Sequence, residues 1–206
     1  MKTTAFACSL VAACALAAPA VAQQAGDWTL GFGLHSVQPR SNNGSLADGT
    51  LAVDVGSNIR PTVTFEYFIR DNVGIEVLAA WPFKHDISID GLGKVGTTQH
   101  LPPVVSLQYH FTGLGSVTPF LGAGVNYTAF FSEKTTGALT GNDLSLKNSW
   151  GLALHAGLDY RISDRGALRA DLRWIDIDTK VRLNGEEIGT VKIDPVVAGL
   201  AYVHRF

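Results

Sequence analysis

The chain has 206 residues, 46% hydrophobic and 17% charged, with 16 Lys+Arg against 18 Asp+Glu. That composition suits one folded unit, and a net charge of −2 leaves no basic surface for a phosphate backbone. A disordered tail and a nucleic-acid binder are both excluded.

Residues 1–22 read as a cleaved secretory signal: Lys2 is the positive end, Ala5 to Ala18 the apolar core, and Ala20-Val21-Ala22 the cleavage site before Gln23. Val11-Ala12-Ala13-Cys14 also resembles a lipoprotein box, and an uncleaved anchor is the other rival. Both cysteines, Cys8 and Cys14, fall in this stretch, so the remainder offers no disulfide, thiolate metal site or cysteine nucleophile. From residue 23 onwards no 18-residue apolar run occurs.

The rest of the chain alternates with period two. Trp28, Leu30, Phe32 and Leu34 alternate with Thr29, Gly31, Gly33 and His35. Ile59, Val63, Phe65 and Tyr67 alternate with Arg60, Thr62, Thr64 and Glu66. Val73, Ile75, Val77, Ala79, Trp81 and Phe83 make a third row, and Val105 to Phe111 a fourth. Leu121 to Phe131, Trp150 to Tyr160, Leu168 to Trp174 and Val196 to Phe206 complete eight predicted strands. Short turns at Arg70–Asn72, Thr112–Val117 and Ser163–Gly166 alternate with longer polar or glycine-rich segments. The longer ones cover about Pro39–Ser57, Lys84–His100, Ser132–Lys147 and Asp176–Lys192.

Long connections at one end and tight turns at the other are the wiring of an all-β, eight-stranded antiparallel transmembrane β-barrel in the bacterial outer membrane. The turns and both termini then face the periplasm, the long loops the outside. Eight strands leave too narrow a bore for the bulky apolar row, so that row must face lipid and lipopolysaccharide rather than a lipocalin-like pouch. Trp150 and Tyr160 lie ten residues apart on one face. Ten steps of ~3.3 Å at ~40° tilt span roughly 25 Å, the distance between aromatic girdles. The terminal Phe206 resembles the signal read by the barrel-assembly machinery, with His204 where an aromatic residue is more usual.

Several stretches resemble the OmpW-type outer-membrane proteins: Asp71 to His85, His100-Leu101-Pro102-Pro103, Pro119 to Thr128, Leu144 to Gly151 and Asp176-Ile177-Asp178-Thr179. The first and fourth loops carry no such motif. The resemblance implies an eight-stranded barrel with a largely apolar lumen that admits small hydrophobic molecules.

The inward rows divide by height. Near the short turns they carry Glu66, Glu76, Asp159 and Asp171 with Arg161, Arg169, Arg173 and Arg205, an expected lattice of charges across the periplasmic end. Glu66 and Glu76 oppose each other across the first turn and need an arginine between them. Higher up lie Leu78, Ala80, Pro82, Val104, Phe130, Ile175, Pro195 and Val197, the expected lining for an apolar solute. Pro82, Pro102 and Pro103 each remove a ladder donor near the outer end, where they would border a lateral exit or simply terminate strands. No histidines stand at ligand spacing, and Ser106 and His110, about 13 Å apart, cannot form a nucleophile–base pair, so neither metal, cofactor nor enzyme chemistry is expected. Passive uptake of small hydrophobic molecules is the expected function. A structural or stress-related barrel, open to phage or bacteriocin docking, is the alternative.

Overall fold

A computed structural model describes residues 23–206; the expected leader lies outside them. The first seven strands are β1 (Trp28–Gln38), β2 (Ser45–Leu46), β3 (Leu51–Val55), β4 (Asn58–Arg70), β5 (Val73–Ala80), β6 (Phe83–Ile89) and β7 (Gly93–Leu101). Then come β8 (Val104–His110), β9 (Val117–Thr135), β10 (Leu144–Leu146) and β11 (Ser149–Arg161). The last four are β12 (Gly166–Ile175), β13 (Asp178–Leu183), β14 (Glu186–Lys192) and β15 (Val196–Arg205).

Eight of these close a barrel: β1, β4, β5, β8, β9, β11, β12 and β15 each pair antiparallel with the next, and β15 returns to β1. Closure is what hydrocarbon demands, since an unpaired sheet edge there would leave backbone groups unsatisfied. Period-two alternation then sorts every strand. On β11, Trp150, Leu152, Leu154, Leu158 and Tyr160 are exposed to the surroundings, while Ser149, Ala153, His155 and Asp159 are buried. Trp81, Trp150 and Trp174 stand outward near the upper ends, and Tyr67, Tyr109, Tyr160 and Tyr202 near the lower. Amphipathic rings favour both boundaries of a bilayer. Tyr127 is half-buried against Trp150, and the terminal Phe206 stacks on Trp28 at 3.9 Å.

The molecule departs from simple alternation in two places. Phe83 belongs by sequence to the outward row, yet it is buried and faces inward. β5 ends at Ala80, and the Trp81–Pro82 break lets the chain restart as β6 in the opposite phase. The long connections, expected as polar or glycine-rich loops, carry the other seven strands. β6 and β7 form one hairpin, β13 and β14 another; β3 pairs with β6, and β7 with the upper part of β9. They raise the wall above the outer aromatic belt into a crown. Bulges at Ile87/Ser88 and Val181/Arg182 interrupt their alternation, which is why it does not read as strand in the sequence. The buried Asn43 clasps this crown: its Nδ2 donates to Lys192 O at 2.8 Å, and its Oδ1 accepts from Val55 N at 3.0 Å.

Placing Arg at the outward Leu154, midway between Trp150 and Tyr160, should destabilise the folded barrel by about 2–4 kcal/mol in lipid. Chemical unfolding in vesicles reads this, and a change below about 0.5 kcal/mol would contradict the lipid-facing assignment.

Candidate functional site

The interior is built in layers. At the bottom, Arg169 on β12 meets carboxylates from three other strands. Its Nε and Nη2 donate to the two oxygens of Asp159 at 2.7 and 2.9 Å, and Nη1 donates to Glu76 at 2.9 Å. Nη2 also reaches Glu66 at 3.5 Å, so one guanidinium bridges the two glutamates that oppose each other on β4 and β5. Arg173 donates to the other oxygen of Glu76 at 2.7 Å. Phe120 lies under the Arg169 guanidinium, 4.4 Å from ring centre to Cζ.

Histidines complete this floor: alternation turns His35, His110 and His155 inward, but no sequence pattern assigned them carboxylate partners. His110 Nε2 lies 2.7 Å from Glu66, while His35 and His155 each place Nε2 at 3.1 Å from Asp171. Glycines make the room: a Cβ on Gly199 would stand 2.1 Å from the His35 ring, and one on Gly74 2.2 Å from the Glu66 carboxylate. Of the eight charges expected in a lattice, six are buried together. Arg161 is half-buried at the periplasmic mouth, and Arg205 pairs there with Asp27 at 3.8 Å rather than with the inner acids. Arg205 lies at the end of β15, away from the layer that Arg169 occupies.

Above the floor the polarity changes. Leu78, Val104, Ala153, Ile175 and Val197 are all buried and form an apolar neck, with Ala80 partly buried against it. Phe130 stands higher, in the lining of a chamber of about 70 Å³ inside the crown. All of the chamber's lining residues except His85 and Thr98 are apolar. They come from every long connection: Leu46 and Val53 from the first, Ile87 and Val95 from the second, Leu144 from the third, Val181 and Ile193 from the fourth. None of these crown residues stands out in the strand pattern of the barrel. The usable signal is Val53/Val55, Ile87/Ile89 and Val191/Ile193, three i, i+2 apolar pairs inside segments that otherwise look like loops.

The proline-bordered wall has a definite geometry. The β5–β8 ladder stops at Leu78↔Val104, and the β6–β7 ladder starts at Phe83↔His100. Between them, residues 79–82 and 101–103 have no pairing with each other. Pro82 is half-buried at this break, and its carbonyl accepts from Arg60 Nε at 3.0 Å instead of completing the ladder. Pro102 is buried and Pro103 exposed on the opposite side.

Just above the break, His85 and His100 meet with Nε2 atoms 3.1 Å apart. Burial lowers the pKa of both, that of His100 to about 3, so both rings are neutral near pH 7. At the outer rim, Asp176, Asp178 and Asp194 bring carboxylate oxygens within 4.8 Å of one another. Lys192 at 3.7 Å from Asp178 and Arg40 at 3.0 Å from Asp194 already supply counter-charge to that cluster. Burial, then its two acidic neighbours, raises the pKa of Asp176.

Two measurements test this arrangement. Arg169→Met should cost roughly 3–5 kcal/mol in barrel stability, because it strands buried carboxylates, whereas Arg205→Ala should cost under about 1 kcal/mol. Equal losses would dismantle the floor as drawn. The depressed His100 pKa stabilises the crown fully above its ordinary value of 6.5, and that contribution fades as pH falls towards 3. Amide exchange in residues 83–101 should therefore quicken between pH 7 and pH 4 once intrinsic rates are removed, and constant protection would refute it.

A closed barrel with a charged floor and an apolar crown has known relatives. The chain matches the OmpW family over residues 24–206. It is 37% identical to outer membrane protein W of Vibrio cholerae, over 97% of this chain and 98% of that one. The crystal structure of OprG from Pseudomonas aeruginosa superposes with a TM-score of 0.80 at 31% identity, covering 90% of this chain and 98% of that one. The dibenzothiophene metabolism operon protein PahQ of Pseudomonas aeruginosa is 27% identical over 93% of each chain. The chain belongs to the OmpW family of Gram-negative outer-membrane β-barrels.

Proposed function

We propose that the protein passes small hydrophobic molecules from outside the cell into the outer membrane, with no enzyme chemistry. The observation that carries this is the pairing of an apolar crown chamber with a floor closed by Arg169 and its carboxylates. An apolar solute gains nothing by crossing a layer of buried ions, so it leaves sideways. The unpaired stretch bounded by Pro82, Pro102 and Pro103 is the part of the wall with the fewest ladder bonds to break, and we assign it as the lateral exit.

Phe130 in the chamber and then Leu78, Ala80, Val104, Ile175 and Val197 in the neck serve as the lining that the solute touches before it turns outward. Burying ~200 Å² of solute yields about 5 kcal/mol at ~25 cal/mol/Å², before association costs reduce it. That suits weak, reversible capture. The name of PahQ, which ties that relative to dibenzothiophene metabolism, supports an apolar cargo for this chain as well. In the same reading, Phe206 on its Trp28 partner is the surface offered to the assembly machinery, and lipid and lipopolysaccharide are the barrel's surroundings.

Leu78→Glu in the neck and Val181→Glu in the chamber should each slow uptake of an apolar probe about tenfold or more in cells, since a bare carboxylate repels the solute from its path. Surface abundance and heat-modifiable gel mobility check that the barrels assemble. Well-assembled variants with wild-type uptake would return the protein to a structural or stress-related role.

A further inference from the structure

The crown chamber has one polar wall, and its hydrogen-bonding is unbalanced. His85 on β6 and Thr98 on β7 oppose each other across the hairpin, are both buried, and are the two polar residues in the chamber lining. The next inward pair towards the break is Phe83 and His100. Whatever moves from the chamber to residues 79–82 and 101–103 therefore passes Thr98, His85 and His100 in that order along the hairpin.

The proton positions are set by the partners. Gly56 O can only accept, so His85 Nδ1 carries the hydrogen that meets it. In a neutral ring His85 Nε2 is then an acceptor, and His100 Nε2 must donate to it across 3.1 Å. That leaves His100 Nδ1 as a bare acceptor, buried and without a partner. Thr98 directs its hydroxyl hydrogen at Gln99 O, 3.4 Å away, and so presents oxygen lone pairs to the chamber. Thr98 Oγ1 on this wall accepts while its hydrogen stays on Gln99 O, and His100 Nδ1 beyond it only accepts.

We propose that the β6/β7 hairpin selects, among small apolar molecules, those bearing one hydroxyl group, alkanols and phenols. The proposal rests on the uptake reading above and names its preferred cargo. A hydrocarbon passing this wall leaves His100 Nδ1 without a donor and offers nothing to the Thr98 lone pairs, which opposes its entry. A ketone or ether does the same, because it brings only further acceptors. A hydroxyl supplies the missing donor, first at Thr98 and then at His100, while its apolar remainder stays against the aliphatic walls. A charged ammonium also donates, but the surrounding apolar residues penalise its charge.

The test compares initial uptake of hexan-1-ol, hexan-2-one and hexane by cells carrying the wild-type barrel, Thr98→Val or no barrel. Thr98→Val keeps shape and removes the acceptor. It should lower hexan-1-ol uptake about fivefold relative to hexane, the factor expected for one lost neutral hydrogen bond. Hexan-2-one should change with hexane, less than about twofold. His100→Phe should shift the ratio in the same direction, and if it fails to reach the outer membrane Thr98→Val decides alone. An unchanged alcohol-to-hexane ratio in assembled Thr98→Val, or an equal fall for all three probes, overturns the selection while uptake stands. Wild-type uptake no faster than in cells without the barrel overturns the uptake reading itself.

Discussion

Arg169 occupies the point where carboxylates from β4, β5 and β11 converge, and much of the molecule is arranged around that meeting. An eight-stranded barrel has a bore that side chains alone can fill. Its inward rows here place Glu66 opposite Glu76, which without a cation between them would push the two strands apart. A planar guanidinium with five donors can serve three acceptors at once, which a lysine ammonium on a flexible stem does less well. Glycines on the neighbouring strands are the complement of this choice. They give up side-chain packing so that long charged and imidazole groups can lie flat across the lumen.

That floor determines what the upper half can do. With the periplasmic half filled by buried ion pairs, the polarity of the interior changes sharply at the level of the neck. The apolar neck and crown chamber are thus coupled to the lattice through exclusion rather than through contact. The break in the wall lies at the level where the apolar neck begins, between Leu78↔Val104 and Phe83↔His100. A break lower down would expose buried charges to lipid.

The crown shows how a chamber can be assembled without a core strand. Each long connection contributes a short apolar edge, and none could bury its own. Their stability comes from hairpin pairing, from the extension of β9 past the membrane, and from polar clasps such as Asn43 between the first and fourth connections. Buried Asn side chains with both ends satisfied hold geometry that apolar contact alone leaves loose.

Period-two alternation made the barrel legible from the amino-acid order alone, because a strand with lipid on one side and a crowded lumen on the other must alternate. Strand number, the outward Trp150–Tyr160 spacing and the inward position of Glu66, Glu76, Arg169 and Arg173 all follow from that one rule. Where the rule was broken, the sequence misled. A two-residue break at Trp81–Pro82 reversed Phe83, and bulged hairpins passed for loops. Which arginine meets which acid was also beyond reach: Arg169 and Glu66 are brought together only when β12 and β4, three strands apart, curve round a closed ring. The same holds for the chamber, where Leu46 and Val191 share a lining although no local pattern links them. Local chemistry decides which way each side chain faces; closure of the sheet decides what it faces.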